Sequence, residues 1–343
     1  MMRKRMKIAL VVLIVGIVAL LGGFAAADFD LTNLTAGGNM TERQYEAEGD
    51  VTELVVRDMN ADIVVTPSKD GKARLTCWEN EDFTYEISEE NGVLRVEKHD
   101  ARQGFNLWFG VYQNGALQIE LPAGATVDVS TDSGAVRLEG DAQGEPFPTV
   151  TIVTDNGHIA VQDVSAGAVS LSTSNDSVTV ENVNADTLNV ETSNGHIALN
   201  GVQAGEIGLD TDNDGVDVEN VDADALSVET DNGFIGLNGV RVGNITLNTS
   251  NDSVRMDDVQ ADALEAVTDN GDIGFSALSA AESLSLQTDN GNIRGELPGE
   301  MRDYHIESET DNGDNNLPAM LDGEGIFLRA INDNGDIDVT FAG

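Results

Sequence analysis

Apolar and polar residues alternate in short runs that recur along most of the chain. In the segment TSNGHIALNGVQAGEIGLD, which begins at Thr192, Ile197 and Leu199 alternate with small or polar neighbours, and so do Ile207 and Leu209. Alternation with a period of two is typical of a half-buried β-strand, and turns rich in Gly, Asn and Asp separate the runs. The pattern therefore predicts an all-β chain.

The runs belong to a tandem repeat. Residues 156–269 contain three copies of a 38-residue unit, and each copy has two halves of 19 residues. Turns of the form T-[DS]-N-[GD] recur at the same spacing, and their threonines are Thr154, Thr173, Thr192, Thr211, Thr230, Thr249 and Thr268. A fixed period indicates stacked coils that complete one another's core, so we predict a parallel two-sheet β-solenoid with about 19 residues per coil. We expect it to be right-handed, as parallel crossovers are.

Stacking at about 4.8 Å places equivalent residues of successive coils in columns. The Thr and the Asn of each turn share the inward parity of Leu188 and Val190. We therefore expect the Asn column to lie at a buried corner and to bond the backbone of the next coil. In sequence order its members are Asn156, Asn175, Asn194, Asn213, Asn232, Asn251, Asn270, Asn290, Asn312 and Asn334. The Gly that usually follows is expected to take a positive φ.

Residues 1–27 form a targeting segment, because four basic residues precede the uncharged residues 8–27. Their length suits a single membrane span, and the A-x-A pattern ending at Ala27 also suits a cleaved signal peptide. We favour the anchor, since the apolar core is long for a signal peptide and the basic cluster keeps the N-terminus cytoplasmic. The expected location is the cell membrane, with one span and the C-terminal domain outside the cell. Secretion is the alternative.

The rest of the chain divides by composition. Residues 28–50 are polar and unevenly patterned and are interpreted as a linker, and residues 51–343 as the solenoid. Asn60 marks its first corner. Residues 51–126 form an aromatic-rich N-terminal capping part, in which Asn91 and Gly92 indicate a hairpin turn, and residues 127–343 form the regular coils. The segment GFNLWFGVY, residues 104–112, is predicted to cover the open end of the core, with an exposed binding loop as the alternative.

Several segments together carry a resemblance to a known family. They are the N-terminal anchor, ADIVVTPS at residues 61–68, YEISEENGVLRVEKH at residues 85–99, LPAGATV at residues 121–127 and the repeated T-x-N-G turns. In these features the chain resembles the putative-adhesin family of bacterial β-strand-repeat proteins over residues 50–343. The resemblance implies a membrane-anchored or secreted surface protein without a catalytic motif, so no residue is carried over as a site.

Charge excludes one class of partner. Residues 28–343 carry 14 basic against 61 acidic residues, a formal net charge of −47, which is incompatible with nucleic-acid binding. Cys77 is the only cysteine, so no intrachain disulfide can form, and we expect it to be a small core residue.

Candidate chemistry is sparse, and we nominate no catalytic, cofactor-binding or metal-binding residue. His158 and His196 occupy one repeat position, about two coils apart, but Phe234 and Asp272 replace them in later copies, which indicates a permissive exposed position. A second set, Asp210, Asp212, Asp214 and Gly215, matches the start of a calcium loop, yet Val221 stands where a bidentate Glu is needed. Turn chemistry explains these aspartates better, and calcium at the acidic corners stays the alternative.

The sequence therefore predicts a non-enzymatic cell-surface β-solenoid, an adhesin or an envelope-associated binding or sensing protein. Its ligand could be a glycan, a protein or an envelope component, and the oligomeric state stays open. The alternative is a carbohydrate-active β-helix enzyme, a polysaccharide lyase or hydrolase. Such an enzyme needs a groove with basic or aromatic partners for its carboxylates, and the coils between Thr154 and Thr288 offer only Arg241 and Arg255 as basic residues.

Overall fold

A computed structural model describes residues 40–101, 115–141, 144–323 and 325–343. The predicted anchor at residues 1–27 and the aromatic segment at residues 104–112 lie outside these ranges. The described part is all-β, and its one helical element is a single 3-10 turn, Met301–Asp303. None of the helical structure in these ranges is long and apolar enough to cross a membrane.

Twenty-six strands build the described part of the chain. The N-terminal strands are β1 Thr41–Glu46, β2 Glu53–Arg57, β3 Ile63–Pro67, β4 Arg74–Glu79, β5 Phe83–Glu90, β6 Val93–Asp100 and β7 Leu117–Leu121. The regular strands are β8 Thr126–Thr131, β9 Val136–Glu139, β10 Phe147–Thr154, β11 Ile159–Gln162, β12 Ser165–Thr173, β13 Val178–Glu181, β14 Asn184–Thr192, β15 Ile197–Asn200, β16 Gln203–Thr211, β17 Val216–Glu219, β18 Asp222–Thr230, β19 Ile235–Thr249, β20 Val254–Thr268 and β21 Ile273–Thr288. The C-terminal strands are β22 Ile293–Pro298, β23 Tyr304–Asn312, β24 Met320–Leu321, β25 Ile326–Asn334 and β26 Ile337–Ala342.

Each regular coil pairs one long strand with one short strand, and equivalent strands of successive coils stack in parallel. Between β12 and β14 the partners are 19 residues apart, as in Val169 with Leu188 and Thr173 with Thr192. The long strands form one ladder and the short strands another, and β19, β20 and β21 run through the corner that joins them. This confirms the predicted parallel β-solenoid with about 19 residues per coil.

The core is a column of aliphatic side chains between the two ladders. In one coil the inward residues are Ile159, Val161, Val164, Val169 and Leu171, each at most 1% exposed. Val, Ile and Leu recur at these positions in the neighbouring coils, so equivalent side chains stack through the molecule. Burial of a β-branched or Leu side chain in such a position contributes about 1.5–3 kcal/mol, which is how otherwise unstable coils hold one another together.

The corner after each T-x-N-[GD] turn is narrow. The glycine there does not take the positive φ that we expected; it is needed because a Cβ on Gly195 or Gly233 would lie 1.8 Å from a carbonyl oxygen of the preceding coil. Positive φ occurs at the other corner, between the short and the long strand. The residues there are Asp163, Asn182, Gly201, Asn220, Gly239, Asp258 and Ala277, with φ between 49° and 68°. Asn, Asp and Gly are the residue types that tolerate this conformation.

Asn60 does mark the first corner, because β2 pairs with β8 and places Asp58 beside Thr131. The chain nevertheless does not stack in sequence order at this end. Strand β6 lies on the outer side of β2, and β7 on the outer side of β3. Strands β5, β4 and β1 then pair in antiparallel fashion beyond them. They terminate the parallel ladders and cover part of their edge.

Two expectations for the N-terminal part have definite outcomes. The hairpin turn is confirmed, since Asn91 and Gly92 have φ of 53° and 81° between the antiparallel strands β5 and β6. The linker prediction is wrong for its last residues. Thr41–Glu46 forms β1 and pairs with β4 along its whole length, because its backbone groups find hydrogen-bonding partners on the open edge of β4.

The C-terminal end repeats the reversed order. Strand β25 inserts between β21 and β23, and β26 pairs with β22. The coil that comes last in sequence is therefore the last but one in space. Strand β23 is the outermost member of the long-strand ladder, and a short antiparallel pairing with β24 covers part of its edge. The edge of β26 is closed by Asn316, whose side chain bonds both the N–H and the C=O of Val339.

Candidate functional site

The candidate binding surfaces are the outer faces of the two ladders and the corner between them. We call the outward residues of the long strands the long-strand face and those of the short strands the short-strand face. Both faces are built from turns and strands that the core holds rigidly, which is the arrangement that positions a binding surface best.

The Thr column lies inside the corner, as expected. Thr154, Thr173 and Thr230 are each at most 3% exposed. The Thr230 hydroxyl donates to the Asp214 carbonyl of the preceding coil and accepts the N–H of Gly233, both at 3.1 Å. One buried side chain thus satisfies backbone groups of two coils, as buried polar groups require.

The Asn column is exposed, and the prediction of a buried column is wrong. The side chain of Asn232 donates to the carbonyl of Asp212 at 3.2 Å and to Oδ1 of Asn213 at 3.0 Å. It accepts from Asn251 at 2.9 Å. The column is a continuous external ladder of amides that bonds the backbone of the preceding coil. Beyond Asn290 the ladder runs through Asn334 to Asn312, because the last coils stack in reversed order.

The acidic residues at the corner do not assemble a calcium loop. Asp212 and Asp214 are exposed at the corner, whereas Val221, at the twelfth position of the motif, is 1% exposed and belongs to the core. Within the described ranges, no three Asp, Glu, His or Cys side chains are grouped so that they could hold a metal ion.

A column of three carboxylates runs along the long-strand face. Asp210 lies in register between Glu191 and Glu229 on neighbouring strands. Partial desolvation, followed by the negative charges of Glu229 and Glu191, raises the pKa of Asp210 above its usual range. Gly208 leaves a shallow depression beside this column, about 380 Å³ in volume, which Asn189 and Ser227 also line. The surface is therefore strongly anionic but open.

The histidines lie outside the core, and only one of the two repeat histidines contacts carboxylates. His158 Nδ1 is 3.0 Å from the Ser177 hydroxyl. His196 Nε2 is 3.1 Å from Asp217 Oδ2, and its ring stacks with Phe234 at a centroid distance of 6.3 Å. Their repeat position is thus half-exposed, and different side chains occupy it in different coils.

The other singled-out residues have ordinary environments. His99 pairs with Glu86 at 3.1 Å and His305 with Asp322 at 3.5 Å, both on the surface. Cys77 is fully buried, as expected, and burial raises the pKa of its thiol to about 11. A thiol with such a pKa is protonated at neutral pH and is a poor nucleophile.

One buried polar cluster was missed by the sequence analysis. At the first corner Asp58 replaces the threonine of the later corners, and its carboxylate accepts the backbone N–H groups of Met59, Asn60 and Ala61. Tyr85 donates to it at 2.6 Å, and the Lys98 ammonium lies 3.4 Å away. Burial lowers the pKa of Lys98 although the Asp58 charge opposes this. The cluster ties the β5–β6 hairpin to the first corner; an Asp at a Thr position was the available signal.

The two arginines between Thr154 and Thr288 line only shallow, open depressions. Arg241 lies 3.7 Å from Asp258, and Arg255 lies 3.0 Å from Asp257, each on an open face. Neither arginine is therefore placed to act with a carboxylate pair in an enclosed site, as the alternative carbohydrate-active enzyme would require.

The fold and its faces define a class: a parallel β-solenoid with exposed, acidic outer faces. A family model described as Toastrack DUF4097 matches residues 51–214 and 184–340. The chain belongs to this family, which confirms the resemblance seen in the sequence. No curated protein matches the sequence.

Three solved structures are similar to this chain at low identity. A putative adhesin from Parabacteroides distasonis is 14% identical with a TM-score of 0.41, over 89% of this chain and 98% of its own. A putative adhesin from Parabacteroides merdae is 16% identical with a TM-score of 0.38, over 76% and 95%. A putative lipid binding protein from Parabacteroides distasonis is 16% identical with a TM-score of 0.34, over 88% and 98%.

Proposed function

We propose that this chain is a non-enzymatic cell-surface β-solenoid that binds a surface ligand through its outer faces. Residues 1–27 anchor it in the membrane, and the solenoid stands outside the cell. The observation that carries the proposal is the uninterrupted stack of coils from Thr154 to Thr288, whose outward residues form open faces of carboxylates, amides and hydroxyls. Such a surface suits reversible binding, whereas catalysis requires an enclosed site with matched acid and base groups.

The negative charge of the surface limits the classes of ligand that it can bind. No lysine or arginine occurs between Arg137 and Arg241, and this stretch carries 19 acidic residues. Nucleic acids and other polyanions are repelled by such a surface. Glycans, proteins and envelope components that are neutral or basic remain compatible with it.

The location is tested by labelling whole cells that express the full chain with a membrane-impermeant amine reagent. We expect Lys69 and Lys72, which are exposed, to be labelled without lysis. The chain should also stay with the membrane fraction and keep its N-terminal residues. Labelling only after lysis would overturn the surface location, and a soluble product that begins at Asp28 would establish the secreted alternative.

Binding is tested by adherence. Cells with and without the full chain are compared on surfaces coated with glycans, with basic proteins and with envelope fragments. We expect the chain to increase adherence to at least one of the three coatings. If cells with and without the chain adhered equally to each of the three coatings, and surface display of the chain was verified, a role in binding would be contradicted.

A further inference from the structure

Phe234 is an unusual residue on the short-strand face. Among the described residues only Val153, Phe234 and Met320 are large hydrophobic side chains that are exposed, and Phe234 is the one aromatic among them, at 39%. Its ring occupies space left free by two glycines. A Cβ on Gly215 would lie 2.5 Å from the ring, and a Cβ on Gly236 would lie 3.2 Å from it. The ring is thus seated against the sheet and remains accessible to solvent.

His196 extends this aromatic surface. It lies two coils from Phe234, and both rings approach over the coil of Gly215, with planes 28° apart. The imidazole is held by Asp217, whose Oδ2 lies 3.1 Å from Nε2, and Asp214 Oδ1 lies 4.0 Å from Nδ1. The Asp217 carboxylate therefore holds the orientation of a ring that would otherwise rotate freely on an open face.

Hydrogen-bonding groups flank Phe234 in the next column. Asp217, Gly236 and Arg255 are in register on three successive coils. Gly236 has no side chain, so the Asp217 carboxylate and the Phe234 ring both extend over it, and Arg255 follows on the next coil. The Arg255 side chain is 77% exposed and contacts Asp257. An apolar ring is thus bordered by a carboxylate and a guanidinium at two-coil spacing.

This combination fits a sugar better than a protein or a lipid. A pyranose has an apolar C–H face that packs on an aromatic ring, and a rim of hydroxyls that pairs with carboxylate and guanidinium groups. A protein interface or a lipid surface needs a larger apolar patch, and Phe234 is the single large exposed hydrophobic residue of this face within the described ranges. The anionic surroundings disfavour acidic polysaccharides.

We propose that His196, Asp217, Phe234 and Arg255 form a binding subsite for a neutral, extended saccharide chain that runs along the solenoid axis. This inference rests on the proposed binding function and names its ligand class. The strand spacing of about 4.8 Å is close to the length of one sugar in an extended β-1,4-linked chain. Successive sugars therefore lie over successive coils, with one of them packed on Phe234.

The test uses the full chain in detergent and two neutral hexasaccharides, cellohexaose and N-acetylchitohexaose, in calorimetric titrations. We expect binding of at least one of them, with little dependence on salt because the ligand is uncharged. Phe234→Ala should lower the affinity roughly tenfold or more, since it removes the stacking surface. Arg255→Ala should lower it by a smaller factor. The matched control is Met320→Ala, which removes an exposed hydrophobic side chain elsewhere and should leave the affinity unchanged.

Folding does not confuse the result, because Phe234 and Arg255 are exposed and each variant can be checked by its melting temperature. Failure of both hexasaccharides to bind the wild-type chain would overturn the saccharide proposal. Equal affinities of the Phe234→Ala and Met320→Ala variants would overturn the subsite. In either case adherence of cells to basic proteins or envelope fragments would still support the proposed function. A strong fall of hexasaccharide binding with salt would show that charged groups and not stacking on Phe234 dominate the binding, and would also overturn the proposal.

Discussion

A buried threonine closes the T-x-N-[GD] corner of each coil from Thr154 to Thr288. Its hydroxyl bonds a carbonyl of the preceding coil, as Thr173 bonds Gly157 and Thr211 bonds Gly195. Where a glycine follows the Asn of the turn, the hydroxyl also accepts the N–H of that glycine, as Thr192 does from Gly195. Threonine provides a donor and an acceptor in a small volume, and its β-branched shape suits a strand. Water competes for the hydrogen bonds of the exposed Asn ladder, so each of these bonds contributes less to the stability of the fold.

This difference predicts unequal costs of substitution. Thr230→Val keeps the shape but leaves the Gly233 N–H and the Asp214 carbonyl without their partner, so it should cost about 1–3 kcal/mol. Asn232→Ala should cost less than about 1 kcal/mol, since water replaces its bonds, and Asp231→Ala should stay within about ±0.5 kcal/mol. The measurement is urea unfolding of the three variants. A loss for Asn232→Ala as large as that for Thr230→Val would show that the external ladder is as important as the buried column.

At the corner between the short and the long strand, one residue is of a type that does not favour the left-handed backbone conformation found there. Ala277 has a φ of 49° at a position that is Asn, Asp or Gly in the other regular coils. A left-handed conformation costs an ordinary L-residue about 1–2 kcal/mol, and glycine avoids this cost. Part of the resulting gain in stability is lost, because glycine has greater conformational freedom in the unfolded chain. We expect Ala277→Gly to stabilise the chain by roughly 0.5–1 kcal/mol. As the control, Ala280→Gly within strand β21 should destabilise it; stabilisation by both would contradict the assigned strain.

The carboxylate column predicts a dependence of stability on pH. The pKa of Asp210 is raised in the folded chain, so the folded state binds a proton more readily than the unfolded state. Stability therefore falls as the pH rises through the interval between the unfolded value of about 3.9 and the raised folded value. Asp210→Asn should stabilise the chain at neutral pH by a few tenths of a kcal/mol, because the site is largely exposed and screened. The gain should vanish below the ordinary carboxylate pKa; a gain that persists there would exclude charge as its cause.

The sequence predicts which residues form the T-x-N-[GD] corner, but it does not predict which of them are buried. Thr and Asn stand two residues apart and share one parity, so alternation places both inward. The chain bends after Thr154, however, and Asn156 leaves the inward row while Gly157 returns to it. Parity is informative only while the strand stays straight. The contact between the rings of His196 and Phe234 was not predicted either. These residues are 38 positions apart, and their contact becomes visible only when the geometry of the coils is known.

At the scale of elements, both ends of the solenoid reverse the order of their last two coils. The 19-residue period predicts how much chain completes a coil, but each new coil could lie on either side of its neighbours. Near the C-terminus the spacing lengthens to 22 residues between Thr288 and Thr310. With these extra residues β23 lies one position further from β21, and β25 occupies the position between them. Longer spacing was thus a visible sign of irregularity, but not of its direction.

Coil order can be tested by engineered disulfides. Gln287 and Ile331 are partners on adjacent strands, whereas Glu309 is the partner of Ile331 on its other side. Adjacent strands lie about 4.8 Å apart, within the range that a disulfide spans, and strands two apart do not. Gln287→Cys with Ile331→Cys should cross-link on mild oxidation, and Gln287→Cys with Glu309→Cys should not. Mass spectrometry distinguishes them, with buried Cys77 present in both. The opposite pattern would restore the sequence order of the coils.

At the scale of the whole molecule, charge opposes the stacking that hydrophobic burial produces. Stacked coils align like charges in columns, such as Glu191, Asp210 and Glu229, and the basic residues are concentrated near the ends of the solenoid. The predicted cap at residues 104–112 and the anchor at residues 1–27 stay predictions. Within the described part, the antiparallel strands β1, β4 and β5 close the N-terminal end by hydrogen bonding.

Salt should therefore stabilise the solenoid without any specific ion site. Screening of the repulsion along the acidic columns should raise the melting temperature by about 2 °C or more, given that about 1 kcal/mol corresponds to roughly 2–4 °C in domains of this order of size. Magnesium and calcium at matched ionic strength should act equally, because the corner aspartates serve the turns and no calcium loop is assembled around Asp212 and Asp214. Thermal unfolding of the full chain in sodium, magnesium and calcium chloride measures this. A melting temperature that rises further with calcium than with magnesium would show chelation by corner carboxylates, and a temperature independent of all three salts would show that repulsion between columns does not limit stability.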